Sequence, residues 1–104
     1  MAHYMQFVWL NKQGVASDQG FVLQRVDRYA YEYREAKRTM RLEGESIVAG
    51  LGDSSFGFGF YSHWRDASWQ PLFHDIQVSE DDRMRIVRNI KEAMAFKGGM
   101  VEFD

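Results

Sequence analysis

A chain of 104 residues, 45% hydrophobic and 27% charged, is sized for a single domain over residues 1–104 with one core, and is too apolar to be disordered. The absence of cysteine excludes a disulfide scaffold, a thiolate metal site and a cysteine nucleophile. The net charge of −2 conceals an uneven distribution: residues 25–41 are net +3, residues 42–82 carry one arginine against eight carboxylates for a net of −7, and residues 83–104 are net +2.

At the N-terminus, Phe7-Val8-Trp9-Leu10 is the only apolar run. It is shorter than a signal-peptide core of about 7–15 residues, and no stretch approaches the ~18 residues of a membrane helix. A cytoplasmic protein without a targeting segment is expected. Residues 21–26 read as the first clear strand. Residues 29–34 read as the second, with Tyr29, Tyr31 and Tyr33 on one face and Ala30, Glu32 and Arg34 on the other. A turn around residues 35–37 leads into a strand over 38–42. Glu43-Gly44-Glu45 reads as a tight turn before a fourth strand over 46–51, and Gly52-Asp53-Ser54 breaks the chain again.

Residues 55–61 form the fifth expected strand, with Phe56, Phe58 and Phe60 on the core face. Gly57 and Gly59 leave its other face bare, as if something bulky, a helix or an indole ring, approached there. Pro71 excludes a central strand through the polar stretch 62–78, which reads as a loop. The helix signal is the strongest in the chain. Ser79 is the N-cap, Glu80-Asp81-Asp82 place three acids at the positive end of the helix dipole, and Gly98-Gly99 end the helix. Ile86, Ile90, Ala93 and Met94 fall on one face and should be buried against the sheet. Residues 100–103 read as a last short strand. The expected fold class is α+β: an antiparallel β-meander of about five or six strands with one C-terminal amphipathic helix packed on the sheet.

The residues that could carry chemistry do not assemble into a known catalytic pattern. His3, His63 and His74 form no paired metal motif, Ser54-Ser55 lie in a turn signal and not in a nucleophile elbow, and the glycines at 50, 52, 57 and 59 have no P-loop register. No catalytic residue, metal or cofactor is therefore expected, and the chain reads as a non-enzyme. Two binding readings remain. Phe56-Gly57-Phe58 is similar to the aromatic strand centre of RNA-recognition modules, and the arginines of residues 25–41 could contact phosphates. The basic residue expected ahead of that strand is missing, however, and the chain is net acidic, so nucleic acid is disfavoured. The alternative is an acidic docking surface drawn from residues 42–82.

The C-terminal third carries a resemblance. Trp69-Gln70-Pro71, Ser79-x-x-Asp82-Arg83, Ile86-x-x-Asn89-Ile90-x-x-Ala93-Met94-x-Phe96-x-Gly98 and Val101-Glu102 together resemble small α+β immunity proteins of bacterial polymorphic toxin systems, including contact-dependent growth inhibition. The match is best over residues 64–103. It implies a stoichiometric inhibitor, a monomer by preference, that binds the C-terminal domain of a cognate toxin. Many such toxins are nucleases with basic, phosphate-holding surfaces, and clustered carboxylates speed encounter with such a surface. The candidate contacts are Glu43, Glu45, Asp53, Asp66 and Asp75, with Trp64 and Phe73 as aromatic anchors. Trp69, beside Pro71, is assigned to the core.

Overall fold

The computed structural model describes residues 5–36, 38–47, 56–67, 69–70 and 78–104, with the side chain of Phe56 excepted. Among the described residues, seven strands form one sheet whose order follows the chain: β1 (Phe7–Asn11), β2 (Gly14–Ser17), β3 (Phe21–Asp27), β4 (Ala30–Glu35), β5 (Arg38–Ile47), β6 (Phe56–Phe60) and β7 (Gly99–Phe103). A 3₁₀ helix, Ser62–Asp66, and an α-helix, α1 (Glu80–Phe96), lie between β6 and β7. Neighbours from β1 to β6 are antiparallel. The α+β class and the meander with one packed helix are as expected.

Three details differ from the sequence expectation. Two strands precede residues 21–26, the first strand expected: β1 and β2 form a hairpin in which Phe7 pairs with Ser17 and Trp9 with Val15. The sheet is not wholly antiparallel, since β7 runs parallel to β6, with Phe58 opposite Val101. A parallel pair needs a long crossover, and α1 lies within it. Finally, Glu43-Gly44-Glu45 is not a turn. It lies inside β5, which continues through to Ile47.

Alternation then builds the core. Phe21 and Leu23 of β3, Tyr31 and Tyr33 of β4, Met40 and Leu42 of β5, and Phe58 and Phe60 of β6 are all buried. They face Ile86, Ile90, Ala93 and Met94 of α1, the stripe anticipated from the helical period. Aromatic rings dominate this interior and meet in edge-to-face and offset geometries. Tyr31–Phe58 and Phe60–Phe103 have centroids 4.9 Å apart, and Phe21–Tyr33 5.5 Å apart. Trp69 is buried too, with Arg38 stacked 4.2 Å over its ring.

Both ends of α1 behave as the sequence predicts. The Asp82 N–H donates to the Ser79 hydroxyl oxygen at 3.1 Å, and Gly98 takes a φ of +86°, the left-handed cap conformation. Ser79→Ala should therefore cost about 1 kcal/mol. Urea unfolding at neutral pH measures it, and a midpoint unchanged from the parent would show that the hydroxyl is not the cap.

Candidate functional site

Glu43 and Glu45 share one face of β5 because they flank a residue that points the other way. Gly44 is buried, and a side chain there would run into the carbonyl oxygen of Gly59, with the Phe60 Cα only 2.8 Å away. The two glutamates are thus turned outward by the close approach of β6. The register adds a third carboxylate. Glu45 lies opposite Gly59, and Gly59 lies opposite Glu102 of β7. Adjacent strands are roughly 4.8 Å apart, so Glu45 and Glu102 stand on either side of a strand that has no side chain between them.

One step along β6, Ile47, Gly57 and Met100 form the next rank. The space over the glycines is taken by Ile47, whose Cγ1 sits 2.9 Å from where a Gly57 Cβ would be. A neighbouring strand's isoleucine thus covers the bare face, in place of the helix or indole anticipated. Toward the other end of β6, the Tyr61 N–H donates to the Glu43 carbonyl at 2.9 Å and its hydroxyl to Glu45 Oε2 at 3.4 Å. His63 Nε2 lies 3.3 Å from Glu43 Oε1, an ion pair when the imidazole is protonated. Desolvation raises the Tyr61 hydroxyl above its ordinary value, and the fields of Glu45 and Glu43 add to this, so it stays a neutral donor. Tyr29, half exposed, joins the same region through its carbonyl, which accepts from the Gly44 N–H at 2.8 Å. Three carboxylates, Tyr61 and His63 therefore share one exposed face, and the Tyr29 hydroxyl is close enough for its field to act on Tyr61.

The remaining sequence candidates do not all join it. Asp66 is exposed at the end of the 3₁₀ helix. Trp64 is half-buried and committed to the C-terminal strand: its Nε1 donates to the Asp104 carbonyl at 2.8 Å, and its ring meets Phe103 edge-on at 5.0 Å. Asp53, Phe73 and Asp75 lie outside the described residues. The acidic segment also does not act as one surface, because Asp82 is paired with Arg85 at 2.6 Å and Glu80 with Arg83 at 3.3 Å.

The features of the RNA reading are placed differently. Phe58 is fully buried and offers no face to a base. Arg34, Arg38 and Arg41 pair with Glu32, Glu35 and Asp27, and Arg25 lies over the Tyr31 and Phe58 rings. A cleft of about 710 Å³ between the 3₁₀ helix and α1 brings together Arg65, Arg83, Arg88 and Lys91, with Trp64 and Glu92 also on its wall.

A second polar cluster has a structural role. Glu35, at the end of β4, receives two bonds from Arg85, at 2.7 and 3.1 Å, one from the Tyr33 hydroxyl at 2.8 Å and one from Arg38 at 3.2 Å. Asn89 Nδ2 in turn donates to the Tyr33 hydroxyl oxygen at 2.9 Å. Burial alone would raise the Glu35 carboxyl, but these donors outweigh it and hold it below the ordinary value of 4.5. The bond from Arg85 likewise lowers Asp82. Groups whose pKa falls on folding stabilise the fold above their unfolded pKa, and that contribution disappears as pH drops through the folded value. Glu35→Gln should cost roughly 1–3 kcal/mol at pH 7 and should also reduce the loss of stability on acidification. Urea midpoints at neutral pH and near pH 3 compare the two proteins; an equal acid loss in both would remove Glu35 from this role.

Sequence reasoning missed Glu102, Tyr61 and Tyr29. The bare Gly57-x-Gly59 face was the available signal, but Glu102 reaches it only through the parallel pairing of β6 and β7. Among the described residues no group of three histidines or acids is placed to hold a metal, and no helix is long and apolar enough to cross a membrane. Comparison with known proteins finds no family model, curated protein or solved structure that matches the chain.

Proposed function

We propose that this chain is a stoichiometric inhibitor that binds a basic protein partner through the outer face of β5–β7, in keeping with the resemblance to immunity proteins of toxin systems. The partner is then the C-terminal domain of a cognate toxin, of nuclease type, met in the cytoplasm; the inhibitor needs neither catalysis nor a cofactor. The observation that carries this reading is the rank Glu45–Gly59–Glu102, extended by Glu43 and edged by Tyr29 and Tyr61. Carboxylates on either side of β6, with Ile47 packed over the glycines beside them, can receive the lysines and arginines with which a nuclease holds phosphates, and the tyrosines supply apolar area and hydrogen bonds at the rim.

Co-expression with a toxin domain, sought among the products of neighbouring genes, tests it. Cells should survive with this chain and die without it, and the two polypeptides should purify together one to one. Survival that needs no physical complex would overturn the reading. The cleft holding Arg65, Arg88 and Lys91 favours a second reading, an RNA-binding module. Retention of single-stranded RNA at low salt, lost in Arg88→Ala with Lys91→Ala, would select it.

A further inference from the structure

The two edges of the sheet are finished differently. On β7 the exposed Glu102 supplies a charge, and the Asp104 carbonyl just beyond accepts from Trp64 Nε1 and Arg65 Nε. Charged edges of this kind discourage pairing with another strand. Strand β1 has no such protection: residues 5–11 contain no charged side chain.

The direction of the β1 backbone follows from its first bonds. The Asp18 N–H donates to the Gln6 carbonyl at 2.9 Å, and the Gln6 N–H to Asp18 Oδ1 at 3.0 Å. Gln6 therefore faces β2. Antiparallel strands alternate, so Val8 also faces β2, and the N–H and C=O groups of Phe7 and Trp9 face away from the sheet. Among the described residues none bonds to them. The side chains are unguarded as well. Val8 is 62% exposed and Leu10 54% on the outer face, while Trp9, 49% exposed, meets Phe96, 42% exposed, on the inner one.

We propose that β1 pairs with β1 of a second copy of this chain, antiparallel about a twofold axis at Val8, joining two sheets edge to edge. The outward groups set this register. Placing Phe7 opposite Trp9 of the second copy, and Trp9 opposite its Phe7, makes both outward residues hydrogen-bonded pairs and closes four N–H···O bonds. Centring on Trp9 instead would oppose Phe7 to Asn11, which the irregularity between Trp9 and Asn11 takes out of the ladder. In the Val8-centred register Phe7 and Trp9 form cross-strand aromatic pairs, Val8 meets Val8, and Gln6 meets Leu10, so no charge opposes a like charge. The contact is self-complementary, as a closed twofold interface requires.

The occupant is a second copy, and the area limits its strength. The exposed parts of Val8, Trp9, Leu10 and Phe96 amount to about 400 Å² per copy, or about 800 Å² in total, less than the roughly 1,200 Å² of stable specific interfaces, so the dimer is weak and concentration-dependent. The acidic face on β5–β7 lies toward the opposite edge of the sheet and stays open in such a dimer.

Sedimentation equilibrium of the full chain from roughly 10 μM to roughly 1 mM tests this. The mass should rise from 12.2 kDa toward twice that value and no further. Val8→Lys and Val8→Glu, each with an unchanged unfolding midpoint because Val8 is exposed, should remain monomeric at the highest concentration. At the twofold position each residue opposes itself, so an equimolar mixture of the two variants should regain the dimer. A parent that stays monomeric, assembly beyond a dimer, single variants that dimerise like the parent, or a mixture no heavier than its components would each overturn the proposal.

Discussion

Gly44→Ala should destabilise the domain by about 3 kcal/mol, toward the upper end of what overpacking costs, although it adds a single methyl group to a strand. The new Cβ would press on the Gly59 carbonyl oxygen and lie 2.7 Å from Phe58 Cε1 and 2.8 Å from the Phe60 Cα. Two of these obstacles are backbone, so relief requires β5 and β6 to separate where Phe58 and Phe60 fill the core. Gly59→Ala is the matched control. Its nearest neighbour is the Ile47 Cγ2 at 3.2 Å, the end of a side chain that can turn aside, and the cost should stay below about 1 kcal/mol. Urea unfolding of both variants gives the comparison; equal midpoints for Gly44→Ala and the parent would contradict the close approach of β6.

Reversing two charges on the outer face should have the other large effect, on binding and not on folding. Glu43 and Glu45 are exposed, so Glu43→Lys combined with Glu45→Lys should leave the unfolding midpoint within about 0.5 kcal/mol of the parent. Toxin binding should weaken by two orders of magnitude or more, because losing a desolvated charge pair costs roughly 2–5 kcal/mol and the new lysines also repel a basic cleft. Glu102→Lys should weaken binding further, since Glu102 stands across Gly59 from Glu45. Cells carrying the triple variant should lose protection while still accumulating folded protein. Full protection by the triple variant would move the interface elsewhere.

The parts of the fold legible in the sequence are those fixed by neighbours in the chain. The helix announced itself through Ser79, the stripe Ile86–Ile90–Ala93–Met94 and Gly98, all within one local period, and β4 through strict alternation. Gly44 misled because a glycine between two glutamates has the composition of a turn; yet Met40, Leu42 and Gly44 continue the inward period of two, and the glycine answers to a strand that comes later in the chain. The run Phe7-Val8-Trp9-Leu10 hid β1 because both of its faces are apolar, leaving no alternation to read. The acidic candidates were half legible. Glu43 and Glu45 stood out by charge, whereas Glu102 and the Glu35–Arg85 pair, 50 residues apart in sequence, depend on pairings that no local pattern records.

Calorimetric titration of the chain with the toxin domain that it protects against in co-expression, at low and at physiological ionic strength, bears most directly on the acidic face as a docking surface. The account predicts one-to-one binding that weakens clearly as salt screens the carboxylates of Glu43, Glu45 and Glu102, and that loses most of this salt dependence in the charge-reversed variant. No binding, or tight binding indifferent to both salt and charge reversal, would contradict it.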